Sequence, residues 1–151
     1  MDTMEPILAA HPFFEGMAPR HLRLVLECAA REQFSPGQML CRDEEEARKF
    51  YVIHHGQVAV EIYRARRGPV TIQTLGEGEV LGWLWFLQPY HWHLDARALA
   101  LTRVISLEVR CLEAKCDQDH DLGYELMKRY AHHLAVQFRV TKLQLADMYG
   151  K

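Results

Sequence analysis

Residues 34–108 consist of short apolar segments with a period of two, separated by turns, and this pattern constrains the fold more than any other. Val58, Val60 and Ile62 alternate with polar neighbours, as in a strand with one buried face. Turn signals such as Ser35-Pro36-Gly37 separate the segments. Evenly spaced short strands favour a barrel over a layout in which strands and helices alternate. We therefore predict a mainly β fold, an eight-stranded double-stranded β-helix (jelly-roll) barrel over about residues 34–108. The strand signals lie around 39–41, 50–54, 58–62, 70–74, 80–84, 93–99 and 103–108.

Helical patterns flank the predicted barrel at both ends. Pro19 precedes apolar residues at the spacing of a short amphipathic helix that reaches Ala29. Residues 109–116 predict one or two helical turns, and the Asp-rich stretch 117–121 suits the N-terminus of a further helix. That last helix, predicted over about 119–149, would be roughly 40 Å long. One side of a small barrel cannot cover so long a helix.

The long helix carries more apolar residues than the barrel needs. One set is expected to face the barrel and comprises Leu122, Leu126, Tyr130, Leu134 and Phe138. A second set is displaced around the helix and comprises Met127, Ala131, Val136, Val140 and Leu143. The simplest partner for this second set is the same helix of another copy of the chain. We therefore predict a homodimer with the second set as its interface.

Composition matches one globular domain spanning residues 1–151, with 49% hydrophobic and 25% charged residues. The formal net charge of −2 gives no general attraction to nucleic acid or to an anionic membrane. No apolar run approaches the ~20 residues of a membrane span, and the N-terminus lacks a secretion signal. The four cysteines have no scaffold-like spacing. We expect a cytoplasmic protein with reduced thiols.

The order of elements, together with four segments, resembles the cyclic-nucleotide-binding domain of the catabolite-activator and FNR family of regulators. The segments are HPFFEGM (11–17), FSPGQML (34–40), FYVIHHGQVAVEI (50–62) and LGEGEVLGW (75–83). The resemblance covers nearly the whole chain. Full regulators of this family continue into a winged helix-turn-helix that reads DNA, and this sequence ends at Lys151. The resemblance thus implies a stand-alone sensor module that binds no specific DNA and signals through a protein partner whose identity is unknown.

The family's phosphate-binding cassette would fall between Gly78 and Ala98. Gly82 keeps the glycine whose turn approaches the cyclic phosphate, but Trp83 stands where the family has the glutamate that holds the ribose. The phosphate-binding arginine would fall near residues 92–93. Losing both anchors would cost roughly 4–6 kcal/mol, on the order of a thousandfold in affinity. Cyclic AMP is therefore not expected to bind in the usual way.

The residues at 92 and 93 are Trp92 and His93, and neither reproduces that arginine. Arg97 resembles a residue of the family's later strand, not the phosphate ligand. The candidate ligand-binding residues are Gly82, Trp83, Leu84, Trp92, His93 and Arg97. The two tryptophans could clamp a planar or apolar small molecule, or they could fill the former nucleotide pocket. The sequence leaves both possibilities open.

His91 and His93 share one strand face, which is also how a cupin-like metal site begins. Such a site needs a carboxylate where Arg97 stands and a histidine on a later strand, and the sequence offers neither. Structural or solvent-facing histidines are favoured. The remaining alternative is a ligand-free interaction scaffold. Because no arrangement of nucleophile and base or of paired carboxylates is compelling, we predict neither an enzyme nor a cofactor.

Overall fold

The computed structural model describes residues 4–82 and 91–150, and these form two four-stranded antiparallel sheets with helices at both ends. The helices are α1 (Met4–Ala10), α2 (Pro19–Leu26), α3 (Val109–Gln118) and α4 (His120–Tyr149). The strands are β1 (Ala29–Phe34), β2 (Met39–Cys41), β3 (Lys49–His55), β4 (Val58–Arg64), β5 (Gly68–Leu75), β6 (Val80–Leu81), β7 (Asp95–Ala98) and β8 (Thr102–Glu108). The first sheet has the order β1-β8-β3-β6, and the second has the order β2-β7-β4-β5. The predicted mainly β jelly-roll barrel with flanking helices is confirmed.

The interior of the barrel is formed by the side chains that the two sheets turn toward each other. Tyr51, Ile53 and Leu81 come from the first sheet, and Val60 and Ala96 come from the second; all are buried in one cluster. The period of two read from the sequence places these residues on the inner faces. Burial of this face fixes the register of the strands, because a slip by one residue would turn the apolar set toward solvent.

The outer face of the first sheet packs against the helices. Phe50, Val52, Ile105 and Leu107 form a second buried cluster with residues of all four helices. The helical members of this cluster include Leu8, Leu22, Val25, Leu112, Leu122, Leu126 and Tyr130, and Phe14 joins it from the turn after α1. The barrel therefore has a core on each side of this sheet. No helix within residues 4–82 and 91–150 is both long and apolar enough to cross a membrane.

Two elements near the N-terminus were not predicted. α1 buries a single residue, Leu8, so its sequence carries almost no amphipathic signal. β1 has the sequence AAREQF and buries only Phe34, although all six of its residues pair with β8. Its hydrogen bonds to β8, not its side chains, make it a strand. The predicted helix from Pro19 to Ala29 ends at Leu26 for the same reason, since Ala29 already pairs with Leu107.

The expectation that all four cysteines are reduced is wrong for two of them. Cys28 and Cys111 form a disulfide across 83 positions of sequence. The physical reason is the pairing of β1 with β8. Because Ala29 lies opposite Leu107, the residue before β1 and the helix after β8 come side by side. Cys41 and Cys116 are free, and Cys41 is buried.

The beginning of α4 is fixed by polar contacts. Asp119 caps the helix by accepting a hydrogen bond from the Leu122 N–H, and its other oxygen lies 2.6 Å from the Arg20 guanidinium. Leu122, Leu126 and Tyr130 of the predicted barrel-facing set are buried. Beyond Tyr130 no described residue of α4 is fully buried. The second half of the helix therefore lies along the barrel without entering its core.

Candidate ligand-binding cavity

A cavity of about 460 Å³ lies between the barrel and the second half of α4. Its walls are largely apolar, with Val60, Leu75 and Leu81 on the barrel side and Leu134 and Phe138 on the helix side. Gly82, Trp92 and His93, three of the candidate residues, also line it, as do Ala47, Lys49, Ile72, Gln73, Val80, His91, Leu94, Gln137, Thr141 and Gln144. A cavity of this size and character is typical of small-molecule sites.

Gly82 lies at the edge of the cavity in a conformation that other residues rarely adopt. Its φ is +104°, and a Cβ added there would lie 2.7 Å from the Trp92 ring and 2.8 Å from the Phe50 Cβ. Both the backbone conformation and the packing therefore require glycine at this position. This requirement holds whether or not a phosphate approaches the turn.

Trp92 is placed inside the barrel. Its exposed fraction is 8%, and its ring stacks on that of Tyr51. The backbone of Trp92 is held by the acidic loop 43–46: its N–H donates to the Glu45 carbonyl at 2.9 Å, and its carbonyl accepts from the Glu44 N–H at 2.8 Å. The acidic loop thus positions the tryptophan. Burial raises the pKa of the Tyr51 hydroxyl, so Tyr51 stays neutral beside the indole.

His91 and His93 lie on either side of Trp92 and are exposed where they border the cavity. His91 takes part in an isolated bridge with Glu46. Within residues 4–82 and 91–150, no group of three or more histidine, cysteine or acidic side chains is placed to hold a metal ion. The described arrangement gives the cupin-like alternative no support.

Arg97 is engaged by a carboxylate instead of facing the cavity. Its Nη2 lies 2.9 Å from Glu61 Oε2 and its Nε lies 3.3 Å from Oε1, a two-point contact. The Glu61 side chain is only 8% exposed, so the arginine compensates a nearly buried charge. The hydrogen bond to Glu61 raises the pKa of Arg97. Arg97 is not among the residues that line the cavity.

The amide side chains of the cavity form hydrogen bonds that connect β5 with α4. Gln73 Nε2 of β5 donates to Gln137 Oε1 of α4 at 3.0 Å, and Gln144 Nε2 donates to the Ile72 carbonyl at 2.8 Å. β5 is the last strand of its sheet in the described topology, so these contacts cover part of an edge strand. Lys49, the cavity's lysine, pairs with Glu32 at 3.1 Å. No described lining residue is an arginine.

Sequence reasoning found some of these residues and missed others. The glycine and tryptophan positions came from the family resemblance, whereas Trp83 and Leu84 lie outside the described residues. Gln73, Gln137 and Gln144 were missed, because contacts between residues 64 and 72 positions apart leave no local pattern. Tyr51 was predicted only as part of the apolar strand around residues 50–54, with no role in the site.

The predicted interface residues of α4 do not share one face of the helix. Met127 is 49% exposed and Ala131 is exposed, but Val136, Val140 and Leu143 lie about half a turn away around a helix of about 3.6 residues per turn. Phe138, expected to face the barrel core, is 65% exposed. A different set follows alternating three- and four-residue spacing along one side of α4, and all its members are exposed except the half-buried Leu134. Its members are Tyr124, Met127, Ala131, Leu134, Phe138, Thr141, Leu145 and Met148, which we call the heptad seam.

Comparisons with known proteins agree on the fold. The family model described as cyclic nucleotide-binding domain matches residues 31–119. No curated protein matches the sequence. The structure resembles a cyclic nucleotide-binding domain from Methylobacillus flagellatus, with a TM-score of 0.82 and 17% identity over 95% of this chain and 80% of that one.

Two solved regulators are also similar. One is the N-terminal domain of a transcriptional regulator from Streptomyces coelicolor, with a TM-score of 0.73 and 16% identity over 89% of this chain and 94% of that one. The other is the Thermus thermophilus catabolite activator protein, with a TM-score of 0.73 and 22% identity over 91% of this chain and 63% of that one. At these identities the likeness establishes a shared fold.

Proposed function

Because the chain belongs to the cyclic nucleotide-binding domain family, we propose that it is a regulatory module that senses a small, largely apolar ligand in the cavity between the barrel and α4. The observation that carries the proposal is the cavity itself. It is present, but the residues that stand where the family resemblance places the glutamate and the arginine for a cyclic nucleotide are tryptophans. Its output passes through protein contacts of α4. The ligand and the protein partner have no established identity.

The chemistry of the cavity walls argues against a cyclic nucleotide held by the usual contacts. Trp92 occupies the position where the family resemblance places the phosphate-binding arginine, and it is buried against Tyr51. The polar groups Gln73 and Gln137 satisfy each other, and Lys49 is paired with Glu32. A phosphate entering such a site would lose its hydration without gaining a guanidinium partner among the described residues.

An apolar, planar ligand suits the same walls. Aromatic faces and aliphatic side chains line most of the cavity, and stacking on an indole needs no charge. His93 is the exposed group at the rim that could meet a polar substituent of the ligand. Trp92 thus both fills the inner barrel and lines the cavity.

A homodimer through the heptad seam supports this function. Seven of its eight residues are apolar, and they follow the alternating three- and four-residue spacing of a two-stranded coiled coil. Phe138 is 65% and Leu145 51% exposed in the single chain, so the seam lacks a cover. Leu134, Phe138 and Thr141 belong both to the seam and to the cavity wall. Occupation of the cavity would therefore act on the dimer directly.

We propose a regulatory role without catalysis, in keeping with the relatives described as transcriptional regulators. Calorimetric titration with cyclic AMP and cyclic GMP at tens of micromolar tests the proposal and should give no binding heat. Native mass spectrometry of freshly purified protein should reveal a small apolar ligand. A submicromolar dissociation constant for either nucleotide would overturn the proposal. Protein that carries no ligand and binds none from a panel of apolar aromatic compounds would favour the ligand-free scaffold.

A double substitution tests the same site in the opposite direction. Trp83→Glu with Trp92→Arg restores the two polar anchors that the family uses. Weak cyclic-nucleotide binding by this variant is expected if the turn at Gly82 still serves as a cradle. The single variant Trp92→Phe is the matched control, since it opens space without adding an anchor, and it should bind no nucleotide.

A further inference from the structure

A separate cavity of about 360 Å³ lies on the outer face of the first sheet, beside α1. The cavity is lined by Arg31, Glu32 and Gln33 of β1, by Arg103, Val104 and Ile105 of β8 and by His54 of β3, and Ile7 of α1 closes one side. Arg31, Gln33, Arg103 and His54 are exposed. The cavity under α4 shares none of its lining residues.

Strand register places the two arginines on the same face. Arg31 lies opposite Ile105, and Gln33 lies opposite Arg103, in the antiparallel pairing of β1 with β8. Residues that lie opposite each other point to one side of a sheet, and so do residues two apart on one strand. Arg31 and Arg103 are therefore diagonal neighbours, a separation that long side chains bridge. The face is the outer one, because Ile105 belongs to the cluster packed against the helices.

Neither guanidinium has an acidic partner in the part of the chain that the structure describes. Of the described residues, none forms an ion pair with Arg31 or Arg103, whereas Arg20, Arg97 and Arg129 each engage a carboxylate. Glu32 of β1 also lines the cavity, but alternation along the strand turns its side chain to the other face, where its Oε2 lies 3.1 Å from Lys49 Nζ. Its charge is therefore already paired. Two like charges on one face repel each other unless a counter-charge lies between them.

We propose that this cavity is an anion site that holds a phosphate group between Arg31 and Arg103. Each guanidinium presents a planar fork of N–H donors that matches two phosphate oxygens, and a phosphate dianion balances two arginines. The Gln33 amide and the His54 ring supply further donors at the rim. The volume exceeds that of a bare phosphate, and Ile7 provides an apolar wall for the organic part of a phosphate monoester.

The test uses inorganic phosphate and glycerol 3-phosphate as probes, followed by two-dimensional NMR of the labelled full chain. Saturable shifts of the Arg31 and Arg103 Nε–H signals are expected, with a dissociation constant of about 0.1–1 mM. Tighter binding of the ester identifies an organic phosphate as the ligand, and equal binding identifies free phosphate. Absence of saturation up to about 20 mM, far above the expected constant, would overturn the site.

Four variants separate recognition of the phosphate group from a general effect of charge. Arg31→Gln and Arg103→Gln should each weaken binding about tenfold or more, because one fork is lost. Arg103→Lys keeps the charge without the fork and should also weaken it. Arg23→Gln removes the same charge from an exposed, unpaired arginine of α2 outside the cavity and should leave binding unchanged. Equal weakening by Arg23→Gln would mean that the ion responds only to net charge, which contradicts the proposal.

Discussion

The ring of Trp92 lies nearly parallel to that of Tyr51 inside the barrel, with centroids 6.4 Å apart and planes inclined by 17°. Tyr51 lies on β3, Trp92 lies in the segment before β7, and both are buried in one cluster. This pair occupies the part of the barrel where the family resemblance places the phosphate-binding arginine. In our proposal, this stacked aromatic pair takes the place of a charged anchor.

Removing the indole should leave a void in the barrel. Trp92→Ala is expected to lower the free energy of unfolding by about 3–5 kcal/mol, measured by urea denaturation. His93→Ala changes the exposed neighbour and should stay within about 0.5 kcal/mol of wild type. A Trp92→Ala loss as small as that of His93→Ala would show that the indole serves a ligand and not the core.

Gly82 should tolerate no side chain. Gly82→Ala adds a Cβ that meets the Trp92 ring and Phe50 at φ +104°, and it should lower the free energy of unfolding by about 2–4 kcal/mol. Gly37→Ala is the matched control, because φ is +88° there and no atom lies within 4 Å of the added Cβ. It should cost only the conformational part, about 1–2 kcal/mol. Equal losses of unfolding free energy at the two positions would show that the contacts with Trp92 and Phe50 add nothing to the cost.

The heptad seam should control the oligomeric state. Leu145→Glu places facing charges in the seam and should convert the dimer into a folded monomer, as measured by light scattering at micromolar concentration. Leu143→Glu, two residues away, adds the same charge to a residue that is 58% exposed on another side of α4. It should leave the dimer intact. Dissociation by Leu143→Glu alone would instead favour the interface predicted from sequence, and a monomeric wild type would exclude both.

Acidification should destabilise the fold through His11. Burial lowers its pKa below the ordinary value of 6.5, and its Nδ1 accepts a hydrogen bond from the Phe13 N–H that a protonated ring could not accept. The unfolded chain therefore binds protons more readily just below pH 6.5, so the stability present above that pH is lost as the pH falls toward the folded pKa. His133, whose pKa is also lowered by burial, contributes in the same direction.

Urea unfolding at about pH 7.5 and about pH 5.5 measures this loss. The difference between the two free energies of unfolding should shrink in His11→Gln, which does not titrate. His54, the charged neighbour that lowers the pKa of His11 further, supplies a control: His54→Gln should reduce the pH dependence less than His11→Gln does. An unchanged pH dependence in His11→Gln would contradict the assignment.

The sequence predicted those parts of the fold in which side chains determine structure. The alternation through Val58, Val60 and Ile62 identified β4, but burial does not follow that period, because residues 58–61 are all buried and Ile62 is 41% exposed. β1 escaped prediction because its pairing with β8 is made by the backbone, and the disulfide escaped because it depends on that pairing. The cavity position at Gly82 and Trp92 was accessible through family resemblance. The amide contacts of Gln73 with Gln137 were not, because only the packed helix brings them together.

α4 is fixed firmly at its start, whereas its second half is held to the barrel mainly by the hydrogen bonds of Gln137 and Gln144 to β5. The disulfide Cys28–Cys111 and the contacts of Lys115 with Glu27 and of Asp119 with Arg20 clamp α3 and the base of α4 to α2. Beyond Tyr130 the helix continues for roughly 28 Å to Tyr149. A tilt of about 10° at Tyr130 would carry its tip about 5 Å. A ligand that tilted α4 by this angle would therefore move the end of the helix by about 5 Å.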